Sequence, residues 1–169
     1  MKPQDIVILL KIISYGDQEW SQIPLAASLN ISQSEISQSL VRSKFAGLLD
    51  GNGKKVMRMA LMDFLQYGLA YVFPQKPGPV VRGVHTAHSA PPLNNEIQSE
   101  EPYVWPSASG KVRGQSIVPL YPSVVEAAMK DEKLYQLLAL VDTLRVGKAR
   151  EKNLALKELK QRILNGEKS

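Results

Sequence analysis

Residues 25–40 (LAASLNISQSEISQSL) constrain the fold more than any other part of the chain. Their apolar positions fit two helices crossing at a tight turn. Ala26 has to be small where the second helix packs over it, Leu29 and Ile31 flank the turn facing inward, and Ile36 and Leu40 form the inner side of the second helix. Asn30 stands at the turn position usually taken by glycine, and Asn is the next residue most tolerant of left-handed dihedrals. The spacing from Ala26 to Asn30 to Ile36 is that of a helix-turn-helix. Ser32 with Glu35 makes a capping box at the start of the second helix, the hydroxyl accepting from the Glu35 amide while Glu35 reaches back.

The flanking segments supply a core for this motif. Residues 5–15 are dense in Ile, Val and Leu, too apolar for a surface helix, and end at Gly16, so a buried first helix is expected. Pro24 suits the first turn of a short second helix, where its missing N–H would be unpaired in any case. The third helix is expected over 32–49, stopped by Asp50, Gly51, Asn52 and Gly53, and a fourth over 54–68 on the stripe Met57, Leu61, Phe64 and Leu65. Residues 69–73 and 80–84 then read as two strands joined by the stiff turn PQKPGP, a wing-like hairpin. The polar, proline-containing stretch 86–102 reads as a linker. A second hairpin (103–106 and 112–118, about Ser107 and Gly110) follows. Ser123 with Glu126 is another capping box, Leu134, Leu137, Leu138, Val141 and Leu144 form a helical seam, and Leu156, Leu159 and Ile163 mark a last helix ended by Gly166. The expected class is α+β, mainly α, with residues 1–88 as a first domain, 89–102 as linker and 103–169 as a hairpin plus helical module. The seams of that module are too extensive for so short a segment to hide, which favours a homodimer.

Charge narrows the function. The net charge of +5 is unevenly spread: residues 32–92 carry seven basic side chains against three acidic, residues 94–144 four against seven, and residues 145–169 eight against three. Cysteine is absent, which excludes disulfide frameworks and zinc fingers and suits a cytoplasmic protein. No apolar run is long enough to span a bilayer.

The third helix divides its outer face in a way that fits duplex DNA. Ser32, Gln33, Ser34, Ser37 and Gln38 can meet base edges in the major groove, Gln pairing bidentately with adenine, whereas Arg42 and Lys44 near the helix end suit phosphates. Lys76 at the tip of the expected wing (69–84) and Arg82 on its return strand can reach the backbone or minor groove. Lys54, Lys55 and Arg58 are further phosphate candidates. Phe45 falls on the outer side and reads as a contact with another domain or chain.

With these positions, and with Ala46, Gly47, Leu48 and Leu49 continuing the pattern, the first 85 or so residues resemble the MarR-like bacterial winged helix-turn-helix regulators. The stretches RGVHTAHSAPPL (82–93), VWPSASGKVRGQ (104–115) and ALVDTLRVGKARE (139–151) are similar to a family of small bacterial proteins described as transcriptional regulators, some associated with abortive-infection toxins. The resemblance implies a sequence-specific DNA-binding regulator, or an antitoxin-like module that holds a toxin or enzyme partner. It brings no site residues with it.

Catalytic and metal chemistry find little footing. His85 and His88 form an HxxH that would need carboxylates such as Glu96, Glu100 or Glu101 to hold a metal, and they read as polar linker residues. Gly78 and Gly83 lack the Lys–Ser of a phosphate loop. Asp142 and Arg145 sit where helical i, i+3 pairs form, with Arg150 a turn or so beyond. Tyr103 and Trp105 read as local core. No nucleophile–base pair is identifiable, so neither an enzyme nor a cofactor is expected. The basic residues Lys148, Arg150, Lys152, Lys157, Lys160 and Arg162 of the last helix read as a solvated face or as a second anionic-partner surface.

Overall fold

A computed structural model describes residues 1–99 and 101–165; Glu100 and Gly166 lie outside the described residues. The chain is α+β and mainly helical, with helices α1 (Pro3–Ser14), α2 (Gln22–Leu29), α3 (Gln33–Phe45), α4 (Arg58–Tyr67), α5 (Leu69–Val72), α6 (Val124–Met129), α7 (Glu132–Val146) and α8 (Ala149–Ile163) and strands β1 (Val80–His85), β2 (Tyr103–Pro106) and β3 (Val112–Ser116). Among the described residues no helix is long and apolar enough to cross a membrane.

Two helices make the centre. In α1 every residue from Gln4 to Lys11 is buried, and α7 is buried on all sides from Leu137 to Arg145. Helices this apolar are stable only when wrapped by others, and α1 packs on both α3 and α7 while α5, α6, α8 and the turn at Ala87–Ser89 also pack on α7. Leu134, Leu137, Leu138, Val141 and Leu144, together with Leu159 and Ile163, are thereby hidden within one chain. The self-association inferred from those seams loses its premise, because the sequence could not show that α1 would lie against α7.

Charges that enter this core are paired, as burial requires. Lys11 meets Asp131 at 2.6 Å, Arg42 meets Asp5 at 2.8 Å, and Arg145 meets Asp142 at 2.9 Å. The last is the expected i, i+3 pair, and it anchors the sheet. Asp142 also accepts from Trp105 Nε1 at 2.6 Å and Thr86 Oγ1 at 2.8 Å, while Arg145 donates to the carbonyls of Phe73 and Val118. Burial pushes the Asp142 carboxyl up, against the pull of Arg145, Thr86 and Trp105.

The strands do not form the two expected hairpins. β1 runs antiparallel to both β2 and β3, which are parallel to each other, and the three close into a small barrel. Closure demands near-contact of backbones: a Cβ on Gly83 would lie 2.0 Å from the Trp105 carbonyl oxygen. Leu69–Val72, expected as the outgoing strand of the wing, is a short helix in which only Leu69 is buried. An apolar run of this length carries no periodicity that separates helix from strand, and its potential partner β1 is occupied by β2 and β3. Lys76 therefore lies between α5 and β1 rather than at a hairpin tip.

Residues 86–102 are not a bare connection. Thr86, Ala87, His88, Ala90 and Leu93 are buried, and the apolar core runs without interruption from α1 through Leu93 and Trp105 to α8. At α6 the expected capping box is not made: Ser123 forms no side-chain cap, and its buried hydroxyl has no hydrogen-bond partner.

Candidate nucleic-acid interface

The turn between α2 and α3 is built as the residues dictate. Asn30 adopts the left-handed conformation (φ 52°, ψ 46°), and the Ile31 amide donates back to the Ala26 carbonyl at 3.1 Å, satisfying the end of α2. Ala26 and Ile31 are buried at the crossing, and Ile36 and Leu40 face the core. Ser32 caps α3, its Oγ accepting from the Glu35 amide at 3.1 Å. The reciprocal half of the capping box is absent because the Glu35 carboxylate turns instead to Gln4 at 2.7 Å and Arg42 at 3.1 Å.

This places Ser32, Gln33, Ser34, Ser37 and Gln38 in solvent at and beyond the start of α3, with Lys44 exposed near its end. Arg42 differs. Its guanidinium is drawn inward, donating Nε and Nη2 to Asp5 at 3.0 and 2.8 Å, so it fixes α3 on α1. Asp5 further accepts from Ser39 at 2.6 Å and from the Lys2 amide at 2.9 Å. Burial alone would raise the Asp5 carboxyl, but the bonds from Arg42, Ser39 and Lys2 outweigh it and hold it below the usual range.

α3 ends four residues earlier than expected. Gly47 takes a left-handed conformation (φ 80°), its amide bonding Lys44 while the Leu48 amide bonds the Ser43 carbonyl at 2.9 Å. This double bond pattern stops a helix wherever glycine occupies the left-handed position. The chain then turns back on itself. Leu49 and Val56 form an antiparallel bridge, flanked by Asp50 N to Lys55 O and Met57 N to Leu48 O, both 2.8 Å. The Asp50 carboxylate accepts from the amides of Lys54 and Lys55, which delays the start of α4 to Arg58 and lowers the carboxyl's pKa.

A short hairpin thus follows α3 directly, with Lys54 and Lys55 exposed on its return limb. Trp20 in the α1–α2 loop braces it, donating Nε1 to the Lys54 carbonyl at 3.0 Å while the Lys54 ammonium sits 4.7 Å over the indole. The sequence signal for this hairpin was the Asp-Gly-Asn-Gly cluster between Leu-Leu and Val-Met, which reads equally as a helix stop.

The remaining candidates are not assembled with α3. α3 packs on α1 and α2, whereas Arg82, exposed on β1, belongs to the barrel, and Lys76 precedes it. His88 is buried edge-on against Tyr103, 3.3 Å from Glu151, and burial lowers the pKa of both His88 and His85. No group of three or more potential metal ligands occurs among the described residues.

Comparison with protein-family models, with curated proteins and with solved structures finds no match for this chain.

Proposed function

We propose that this chain is a sequence-specific duplex DNA-binding regulator of the winged helix-turn-helix type, with α3 entering the major groove. The observation that carries the reading is the pairing of a left-handed Asn30 turn with an α3 whose leading face exposes Gln33, Ser34, Ser37 and Gln38 and buries none of them. Polar side chains on a rigidly seated helix can read base edges, Gln bidentately at adenine and Ser at either kind of base pair. Lys44, Lys54 and Lys55 supply the phosphate contacts, and the 48–57 hairpin takes the place of the wing expected over 69–84. The protein acts in the cytoplasm, without a catalytic step or a cofactor. Pairing of two copies would present two α3 helices to a two-fold site; the exposed Tyr67, Tyr71 and Val72 support such an interface.

Enrichment of bound duplexes from a random pool tests the reading. Recovery of a common motif that is lost when Gln33, Ser37 and Gln38 are replaced together by Ala sustains it; unselective recovery removes it.

One observation favours a second reading, an antitoxin-like module that holds a toxin or enzyme. Val41 and Phe45, one turn apart on α3, are 67% and 95% exposed, an unusual apolar pair for a helix that meets only DNA. Stoichiometric capture of one protein partner, lost in Phe45→Ser and indifferent to DNA, would select this reading.

A further inference from the structure

The α1–α2 loop and the hairpin after α3 enclose a cleft of about 840 Å³, within the range of small-molecule sites. Its lining combines three kinds of surface. Ile12, Ile13 and Val56 provide apolar walls. The indole of Trp20 stands at the side, half-buried and fixed by its bond to the Lys54 carbonyl. Around these lie cations from the hairpin and the start of α4 (Lys54, Lys55, Arg58) and carboxylates from the loop (Asp17, Glu19).

The mixture of charges selects a ligand class. A simple aromatic acid would bring an anion to the lysines but nothing for Asp17 and Glu19 to accept from. A simple cation would face Lys54, Lys55 and Arg58. A molecule with a flat ring to lie on Trp20, an anionic group for the cations and hydroxyl or amino donors for the carboxylates satisfies every wall at once. Arg58 is already engaged, its Nη1 donating to the Ile163 carbonyl at 2.7 Å, which leaves the two lysines to meet the anion.

We propose that this cleft binds a nucleoside monophosphate, with the base taking the place of the Lys54 ammonium against Trp20, the phosphate at Lys54 and Lys55, and the ribose hydroxyls donating to Asp17 and Glu19. The proposal stands whether or not the protein binds DNA.

Titration of the full chain with AMP, followed by tryptophan emission and by calorimetry, tests it. The chain has two tryptophans, and Trp105 is 1% exposed and not among the residues lining the cleft, so its emission is a constant background. AMP is expected to change the emission saturably, and Trp20→Phe to abolish that change. Adenosine, ribose 5-phosphate, and AMP with Lys55→Gln should each bind about tenfold or more weakly, since each lacks the ring or one charge-assisted contact. Lys55 is exposed, so its variant folds as the parent does. The proposal is overturned if AMP gives neither emission change nor heat, if ribose 5-phosphate binds as tightly as AMP, or if Lys55→Gln leaves calorimetric affinity unchanged.

Discussion

Asp5→Asn tests whether the seating of α3 on α1 is electrostatic. Asp5 is 1% exposed and accepts bonds from Ser39, from Arg42 twice and from the Lys2 amide. Asparagine keeps one oxygen, loses the charge and turns a donor toward Arg42. Severing a fully buried pair costs about 3–5 kcal/mol, but the Arg42 side chain is 25% exposed and can recover water, which discounts the loss to about 2–3 kcal/mol. For a chain of this length that is a fall in melting temperature of about 4–12 °C. Urea unfolding followed by circular dichroism measures it directly. The pH dependence carries the sign: the folded carboxyl is held below its unfolded value, so its contribution is full above the unfolded pKa and disappears as pH falls through the lower, folded one. Wild-type stability should therefore fall more steeply than that of Asp5→Asn in this acid range. A loss below about 0.5 kcal/mol, the level of an ordinary surface change, together with parallel pH profiles, would refute the argument.

Gln38→Ala should relax sequence preference at one base pair, costing about 1–3 kcal/mol of discrimination in competition binding if Gln38 meets adenine bidentately; unchanged discrimination would remove it from the reading surface. Replacing Lys54 and Lys55 together by Gln should weaken all duplexes alike and flatten the salt dependence by about two units. Lys76→Ala should leave the salt slope unchanged, because Lys76 lies between α5 and β1 and apart from α3; a slope flattened by about one unit would put it back on the DNA. Trp105→Phe should destabilise the chain by about 2–3 kcal/mol in urea titration, because the buried Asp142 loses a charge-assisted bond; a cost below about 1 kcal/mol would show that Arg145 and Thr86 suffice.

What the sequence made legible was local. The α2–α3 turn needs only Ala26, Asn30 and Ile31 within six residues, and each adopts the position its chemistry suggests. The burial of α1 followed from how few polar residues interrupt its run of Ile, Val and Leu. What stayed hidden depended on partners distant along the chain. Arg42 looked like a phosphate ligand because its acceptor, Asp5, lies 37 residues away. Val80–His85, Tyr103–Pro106 and Val112–Ser116 were each recognisable as strands, but their pairing with one another was not, because a local pattern favours the nearest hairpin. The 48–57 hairpin is not legible in the sequence because it is held by one bridge and two flanking bonds, and glycines that permit a tight turn also end helices.

The central claim, that α3 reads duplex DNA, is tested most directly by fluorescence anisotropy with duplex from around the protein's own coding region against random duplex, at two salt concentrations. The expected result is a site bound about a thousandfold more tightly than random sequence, with steep salt dependence. Weak binding that makes no distinction between the two duplexes would contradict it and leave the apolar pair Val41 and Phe45 as the more informative surface of α3.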